Sequence, residues 1–165
     1  MRLRHASMAI LRNNGNVLLL KRGEHRKIAP GFWSGPGGHF KEYEMNSPYD
    51  ACYRELEEET GISKKFILSL NLKYLLLRRY KDEEIRLSYI FFGETSQTEL
   101  RQTDEGQLYW IPETEMLEKQ FTPTFTAMLE HNLKRKPDDQ AVYIGVADKD
   151  NGKLRMHWAP CKDFE

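Results

Sequence analysis

The sequence predicts an α/β fold, in which strands arranged largely as hairpins combine with two helices. Apolar segments flank two Asn-Gly pairs, Asn14-Gly15 and Asn151-Gly152, and this pair is a strong signal for a two-residue hairpin turn. Ser47-Pro48 and Thr122-Pro123 each precede apolar residues at helical spacing, as expected where helices begin. A chain of 165 residues is long enough for one domain with a sizeable core.

The first half of the chain reads as a hairpin, a long loop and a helix. The second strand of the hairpin, NVLLLKR, ends at Lys21-Arg22. Residues 23–40 contain six Gly and Pro residues between positions 30 and 38, so we expect a loop, and a loop of this length suggests function. The helix is predicted over residues 48–60, since Ser can cap it and Pro suits its first position.

That helix carries an unusual acidic face. Glu55, Glu58 and Glu59 fall on one side of a helical wheel, while Glu57 points elsewhere into water. Like charges at these spacings cost about 0.2–0.5 kcal/mol per pair, and acids are also disfavoured at the negative carboxyl end of a helix. A solvated charged face is the ordinary interpretation of such a run, so the surrounding sequence has to decide.

The second half predicts further strands and a second helix. NLKYLLLRRY and IRLSYIFFGET flank the polar turn KDEE, and QLYWI follows TDEG. In TPTFTAMLEHNLKR the helical stripe that we expect in the core is Phe125, Met128, Leu129 and Leu133. AVYIGVA and KLRMHW then form the final hairpin.

Composition excludes several classes of function. Lys plus Arg equals Asp plus Glu at 25 each, so no polymeric nucleic acid is indicated as a partner. The first 23 residues have apolar runs too short and too charged for a signal peptide or membrane span, and we expect no membrane association and a cytoplasmic location. Two Cys without a CxxC pair and five scattered His predict neither disulfides nor zinc.

Placed in context, the acidic helix follows a Gly-rich loop in GPGGHFKEYEMNSPYDACYRELEEETGI. This segment resembles the signature of the Nudix hydrolases. The matching positions are Gly38, Glu44, Arg54, Glu55, Leu56, Glu58, Glu59, Gly61 and Ile62. Nine residues separate Glu44 from Arg54, two more than the family's usual spacer, so we infer an insertion at Met45-Asn46. The insertion leaves the helix intact but leaves the role of Glu44 open.

The resemblance implies a Nudix-type α/β/α sandwich around a mixed β-sheet. It would cover about residues 5–135, with the C-terminal β-hairpin at about 140–160 as an extension of a single domain, 1–165. The family's chemistry is Mg²⁺-dependent cleavage of a nucleoside diphosphate linked to another group, with Mn²⁺ as a substitute. Clustered carboxylates suit this hard cation, which takes oxygen ligands. The implied metal ligands are Glu55, Glu58, Glu59 and a backbone carbonyl of the Gly37-Gly38 pair, with Gly38 favoured.

The resemblance also suggests roles for other residues. Arg54 would support the carboxylate geometry, and Glu58 or Glu59 would double as general base. Glu105 in TDEGQLYW is a candidate for a further metal ligand or base, although an acid in a turn is ordinary. Candidates for substrate binding are Lys21, Arg22, His39, Trp33 and Tyr80; the cations could equally be surface charges, and the aromatic side chains could equally belong to the core.

The predicted substrate is a nucleotide. We expect hydrolysis of a nucleoside triphosphate, including oxidised ones, to a monophosphate and pyrophosphate. ADP-ribose or a dinucleoside polyphosphate is the alternative within the same chemistry, and a nucleotide-sensing module without cleavage is the alternative from another class. The final hairpin could serve as a homodimer contact or a substrate lid, and the sequence leaves both open.

Overall fold

The computed structural model describes residues 1–25, 29–81, 83–101 and 103–163. In these ranges the strands are β1 (Arg2–Asn13), β2 (Asn16–Arg22), β3 (Trp33–Ser34), β4 (Ile67–Tyr80), β5 (Glu84–Thr95), β6 (Gly106–Pro112), β7 (Val142–Asp150) and β8 (Lys153–Cys161). The α-helices are α1 (Pro48–Thr60) and α2 (Pro123–Leu133), and short 3₁₀ turns lie at Glu42–Glu44, Lys64–Phe66 and Glu113–Glu118.

The strands form one mixed sheet. Its order is β3-β2-β1-β5-β4-β7-β8, and β6 also pairs with β2. The pairs β1 with β5 and β4 with β7 are parallel, whereas the other pairs are antiparallel. The mixed sheet that the sequence predicts is therefore confirmed.

Each face of the sheet is covered by one helix. Successive residues of a strand point to opposite faces, and in β1 Ala9 and Leu11 pack towards α1, whereas Ile10 packs towards α2. Cys52 and Leu56 of α1 contribute to the first core, and Phe125, Met128 and Leu129 of α2 contribute to the second. This arrangement of helix, sheet and helix is the predicted α/β/α sandwich.

Most predicted elements are confirmed, with differences at their ends. Asn14 and Gly15 have φ angles of 46° and 78°, and Asn151 and Gly152 have 48° and 82°, as a tight hairpin turn with two left-handed residues requires. The helix over residues 48–60 is confirmed at both ends, although the Ser47 side chain makes no capping hydrogen bond. The predicted loop contains the short strand β3, because Trp33 and Ser34 pair with β2.

One predicted core residue is wrong. Leu133 is 61% exposed, because α2 ends at this residue and the chain turns away before another helical turn can cover it. The rest of the predicted stripe is buried.

The C-terminal hairpin continues the sheet beyond β4. Tyr74 and Tyr143 are register partners between β4 and β7, and the ring of Trp158 on β8 stacks on His131 of α2 with centroids 4.5 Å apart. Gly145 makes room for this indole, since a Cβ atom there would lie 2.3 Å from it. The hairpin thus packs against the α2 side of the molecule. Within the described residues, no helix has the length and apolar character needed to cross a membrane.

Candidate active site

The acidic helix faces a gap where β2 diverges from β1. Residues 36–40 occupy the free edge of β1: the Ser7 amide donates to the Gly38 carbonyl at 2.9 Å, and the Ala9 amide donates to the Pro36 carbonyl at 3.0 Å. Since alternate residues of an extended segment point their backbone groups to opposite sides, the N–H and C=O of Gly37 point away from β1. Glycine is needed here, because a Cβ atom on residue 37 would lie 2.2 Å from the Ser7 carbonyl oxygen.

Glu59 reaches into this gap from α1. Its Oε2 accepts a hydrogen bond from the Gly37 amide at 2.9 Å. The pKa of Glu59 is raised to about 7, with burial as the largest cause. The charges of Glu55 and Glu105 also raise it, whereas the Gly37 hydrogen bond and the charge of Arg22 lower it. Glu105 and Arg22 therefore both lie within electrostatic reach of Glu59. The candidate metal ligand of the later loop and the candidate phosphate-binding arginine of β2 thus lie near the acidic helix.

Arg54 holds three carboxylates together. Its Nε and Nη2 donate to both oxygens of Glu44, at 2.5 and 2.8 Å, and its Nη1 lies 2.8 Å from Glu55 and 2.7 Å from Glu58. The Glu44 hydrogen bonds make the largest contribution to raising the pKa of Arg54, and the same hydrogen bonds lower the pKa of Glu44. Nη2 also donates to the His39 carbonyl at 3.0 Å, which ties the loop to the helix.

Glu44 lies beside the acidic helix, although nine residues separate it from Arg54. Its side chain is buried, with 3% of the residue exposed, and it also accepts the Lys41 amide at 2.8 Å. Met45 and Asn46 form an exposed turn between the 3₁₀ turn and α1, and the Ser47 amide closes it on the Glu44 carbonyl at 2.8 Å. The additional residues are therefore accommodated in solvent.

Glu55 and Glu58 differ in their surroundings. Glu55 is 9% exposed and lies against the loop, so that a Cβ atom on Gly38 would be 2.4 Å from its carboxylate. Burial raises the pKa of Glu55. Glu58 is exposed. Its partial desolvation raises its pKa, but the hydrogen bonds from Lys41 and Arg54 outweigh this effect, so that the pKa of Glu58 is lowered overall.

The donors suit a hard divalent cation by their chemistry. They are carboxylate oxygens together with the backbone carbonyls of residues 37 and 38, and such ions take oxygen ligands. The Gly38 carbonyl already accepts the Ser7 amide, whereas that of Gly37 points away from β1. Within the four described ranges, no three His, Cys, Asp or Glu side chains are grouped closely enough to hold a metal ion; Glu55 and Glu58 are paired with Arg54, and Glu59 accepts the Gly37 amide.

The side chains of Lys21 and Arg22 lie in different environments. Lys21 is exposed and lines a surface cavity with Glu24, His25 and Asp104. Arg22 lies near Glu59 and also lines a partly open cavity on the α2 side of the sheet. Arg22, but not Lys21, thus lines this cavity and also lies within electrostatic reach of the acidic helix.

The cavity lined by Arg22 has a volume of about 170 Å³. Its walls come from both helical and hairpin elements and include Arg22, Trp33, Arg78, Ser88, Phe125 and Met156. An engineered protein cavity of about 150 Å³ accepts benzene, so this one has room for a group about the size of one ring. Trp33, a predicted base-binding residue, lies at its wall.

Tyr80 and His39 lie beyond this cavity. The guanidinium of Arg86 covers the ring of Tyr80 at 3.8 Å, so this aromatic face is occupied by a cation of the same sheet. Burial lowers the pKa of His39, and the charges of Arg4 and Arg86 lower it further, while Glu84 and Glu105 raise it. His39 is therefore within electrostatic reach of Arg4 and Arg86 as well as of Glu105. Sequence reasoning missed Arg78 and Arg86, since only the strand register shows that they are neighbours.

A Gly-rich loop and an acidic helix held by one arginine, on an α/β/α sandwich, define the Nudix class of domain. The sequence model of the NUDIX domain matches residues 1–131, and the chain belongs to this family.

Solved structures share the fold. A MutT protein from Bacillus halodurans superposes with a TM-score of 0.75 at 23% identity, covering 94% of this chain and 97% of that one. A NUDIX hydrolase from Nitrosomonas europaea has a TM-score of 0.62 at 26% identity, covering 84% and 95%. The NUDIX domain of Shewanella oneidensis NrtR, solved with ADP ribose, has a TM-score of 0.58 at 17% identity, covering 80% and 88%.

Proposed function

We propose that the chain is a Mg²⁺-dependent hydrolase that cleaves a nucleoside diphosphate linked to another group. The observation that carries this is the arrangement around Arg54, which holds Glu44, Glu55 and Glu58, beside Glu59 on the Gly37 amide. Glu55, Glu58 and Glu59 lie on α1, where like charges three or four residues apart are unfavourable, and Glu44 adds a fourth carboxylate from the preceding turn. Membership of a hydrolase family supports the same conclusion.

Residues of α1 and of the Gly-rich loop would have different roles in catalysis. Glu55, Glu58, Glu59, Glu105 and a carbonyl of the Gly37-Gly38 pair would hold the cation. When bound, Mg²⁺ supplies neutralisation of the diphosphate charge and makes an attacking water more acidic. Glu58 or Glu59 would accept a proton from the attacking water. Arg54 and Glu44 position Glu55 and Glu58, while Arg22 pairs with phosphate oxygens.

The cavity beside Arg22 would receive one end of the substrate. Its size suits one ring, and the indole of Trp33 offers a surface for stacking. A nucleoside triphosphate, cleaved to monophosphate and pyrophosphate, is the first candidate. ADP-ribose is the second, since the similar NrtR domain was solved with it.

The test is a hydrolysis screen with matched helix variants. The protein is assayed with Mg²⁺ against canonical and oxidised nucleoside triphosphates, ADP-ribose and dinucleoside polyphosphates, and pyrophosphate is separated from orthophosphate. Glu58→Gln and Glu59→Gln should each lower kcat at least about 100-fold. Glu57→Gln is the control, because Glu57 is exposed on the same helix and should retain full activity.

The products decide the substrate. Monophosphate with pyrophosphate from one triphosphate supports the first candidate, and AMP with ribose phosphate supports the second. No turnover of any compound, or full turnover by both variants, would overturn the proposal.

A further inference from the structure

Three arginines form a row across the α2 side of the sheet. Arg86 on β5 is the register partner of Arg4 on β1 and of Arg78 on β4. Register partners on neighbouring strands point to the same face, and this face is the one on which Leu76 and Ile90 pack towards α2. Three cations therefore lie side by side at one end of the second core.

One carboxylate, that of Glu84, forms ion pairs with two of these arginines. Glu84 forms an ion pair with Arg86 and lies 3.6 Å from the Nε of Arg4. Arg86 additionally stacks on Tyr80. The row with its one acid therefore keeps a net positive charge.

Arg78 has no such partner. In residues 1–25, 29–81, 83–101 and 103–163 it makes no hydrogen bond or ion pair, although it is partly buried. Burial and the charge of Arg86 lower the pKa of Arg78, against smaller opposing effects of Tyr80 and Glu84. A partly desolvated guanidinium that lies beside a second cation and has no hydrogen-bond partner of its own is in an unfavourable position.

The surroundings of Arg78 lead to the candidate active site. Arg78 lines the same cavity as Arg22, Trp33 and Ser88. It also lines a more open cavity at the turn of the C-terminal hairpin. A molecule that extends from Arg22 into the first cavity would therefore come within reach of Arg78.

We propose that the end of the substrate that enters this cavity carries an anionic group, a phosphate or a carboxylate, which Arg78 binds with support from Arg4 and Arg86. The inference rests on the proposed function, because it names the chemical class of that substrate. A neutral acceptor such as a base carbonyl would give Arg78 a hydrogen bond but would leave the repulsion along the row in place. An anion would accept hydrogen bonds from Arg78 and would also offset the repulsion among the three arginines. A guanidinium binds phosphate or carboxylate through two parallel hydrogen bonds.

Binding to pairs of nucleotides tests the inference independently of hydrolysis. Isothermal titration is done with Mg²⁺ omitted and EDTA present, comparing UDP-glucuronate with UDP-glucose and ADP-ribose 2′-phosphate with ADP-ribose. Each pair differs in one anionic group, on the linked sugar in the first and on the nucleoside in the second. At least one pair should favour the charged member by about tenfold or more.

Variants then assign the preference to Arg78. Arg78→Met should abolish the preference, Arg78→Lys should keep part of it, and Arg155→Met should leave it unchanged, since Arg155 lies on the exposed hairpin in ion pairs with Asp148 and Asp150. Without ligand, Arg78→Met should melt at the same temperature as the native protein or above it, because an unpaired, partly buried charge is removed. A lower melting temperature would show that Arg78 has a structural partner and would overturn the inference.

Inorganic phosphate separates a substrate-borne anion from a free one. If phosphate raises the melting temperature of the native protein but not of Arg78→Met, while neither nucleotide pair shows a preference, the site binds a free anion and the inference fails. If a pair shows the preference and Arg78→Met loses it, the inference holds. Should the protein then hydrolyse none of the nucleotides in the screen, the proposed function alone would fail.

Discussion

Replacing Glu59 by Gln should stabilise the metal-free protein at alkaline pH but not at acidic pH. Glu59 has its pKa raised from 4.5 to about 7, chiefly by burial. A glutamate whose pKa is higher in the folded state favours folding only while it is protonated. Its contribution is fully present below the unfolded pKa and is lost as pH rises through the folded one, so the window runs from about pH 4.5 to about pH 7.

The size of the effect follows from the two pKa values. Each pKa unit corresponds to about 1.36 kcal/mol, so ionised Glu59 costs up to roughly 3 kcal/mol above pH 7. Gln is neutral throughout and its Oε can still accept the Gly37 amide. For a chain of this length 1 kcal/mol shifts Tm by about 2–4 °C, which gives an expected gain on the order of 5–10 °C at pH 8.

The assay is thermal unfolding in EDTA at intervals from pH 4.5 to pH 8.5. The quantity of interest is the Tm difference between Glu59→Gln and the native protein, since other titrating groups largely cancel in it. Glu57→Gln serves as the control, because Glu57 is exposed on the same helix. A difference that stays constant with pH, or that shrinks as pH rises, would refute the reasoning about burial.

Three further substitutions test other contacts. Arg54→Lys removes the two-pronged hydrogen bond to Glu44 and should lower kcat/KM by at least about tenfold, whereas a change within twofold would contradict the positioning role. Gly38→Ala places a methyl group 2.4 Å from the Glu55 carboxylate and should weaken Mg²⁺-induced stabilisation; unchanged stabilisation would show that Glu55 can move freely. Trp158→Ala removes the stack on His131 and should cost about 2–4 kcal/mol in urea unfolding, while a loss below about 1 kcal/mol would show that the hairpin is only loosely attached.

Local patterns in the sequence predict much of the fold. The two Asn-Gly turns and the helix over residues 48–60 depend on neighbouring residues and backbone preferences, and the structure has them where predicted. The exposed Leu133 could not be foreseen, because the helical wheel continues past the residue at which the helix ends. Tertiary packing, rather than periodicity, decides such end positions.

Part of the candidate site could likewise be predicted from the sequence, and part depends on tertiary structure. The motif places Arg54 and the glutamates on one helix, and the structure adds that Glu44 still pairs with Arg54 despite the insertion. The row of Arg4, Arg78 and Arg86 depends on which strands become neighbours and in which register. Residues separated by the whole first half of the chain give no sign of this contact in a single sequence.

The arginine at the centre of the acidic helix also bears on the order of events when the protein is made. Some small metalloproteins remain unfolded until their ion arrives, because nothing else offsets their crowded ligands. Here Arg54 supplies a built-in counter-charge for Glu44, Glu55 and Glu58. Under the proposed function, magnesium would therefore not be needed for the newly synthesised chain to fold, and its binding would be a reversible event on a folded domain.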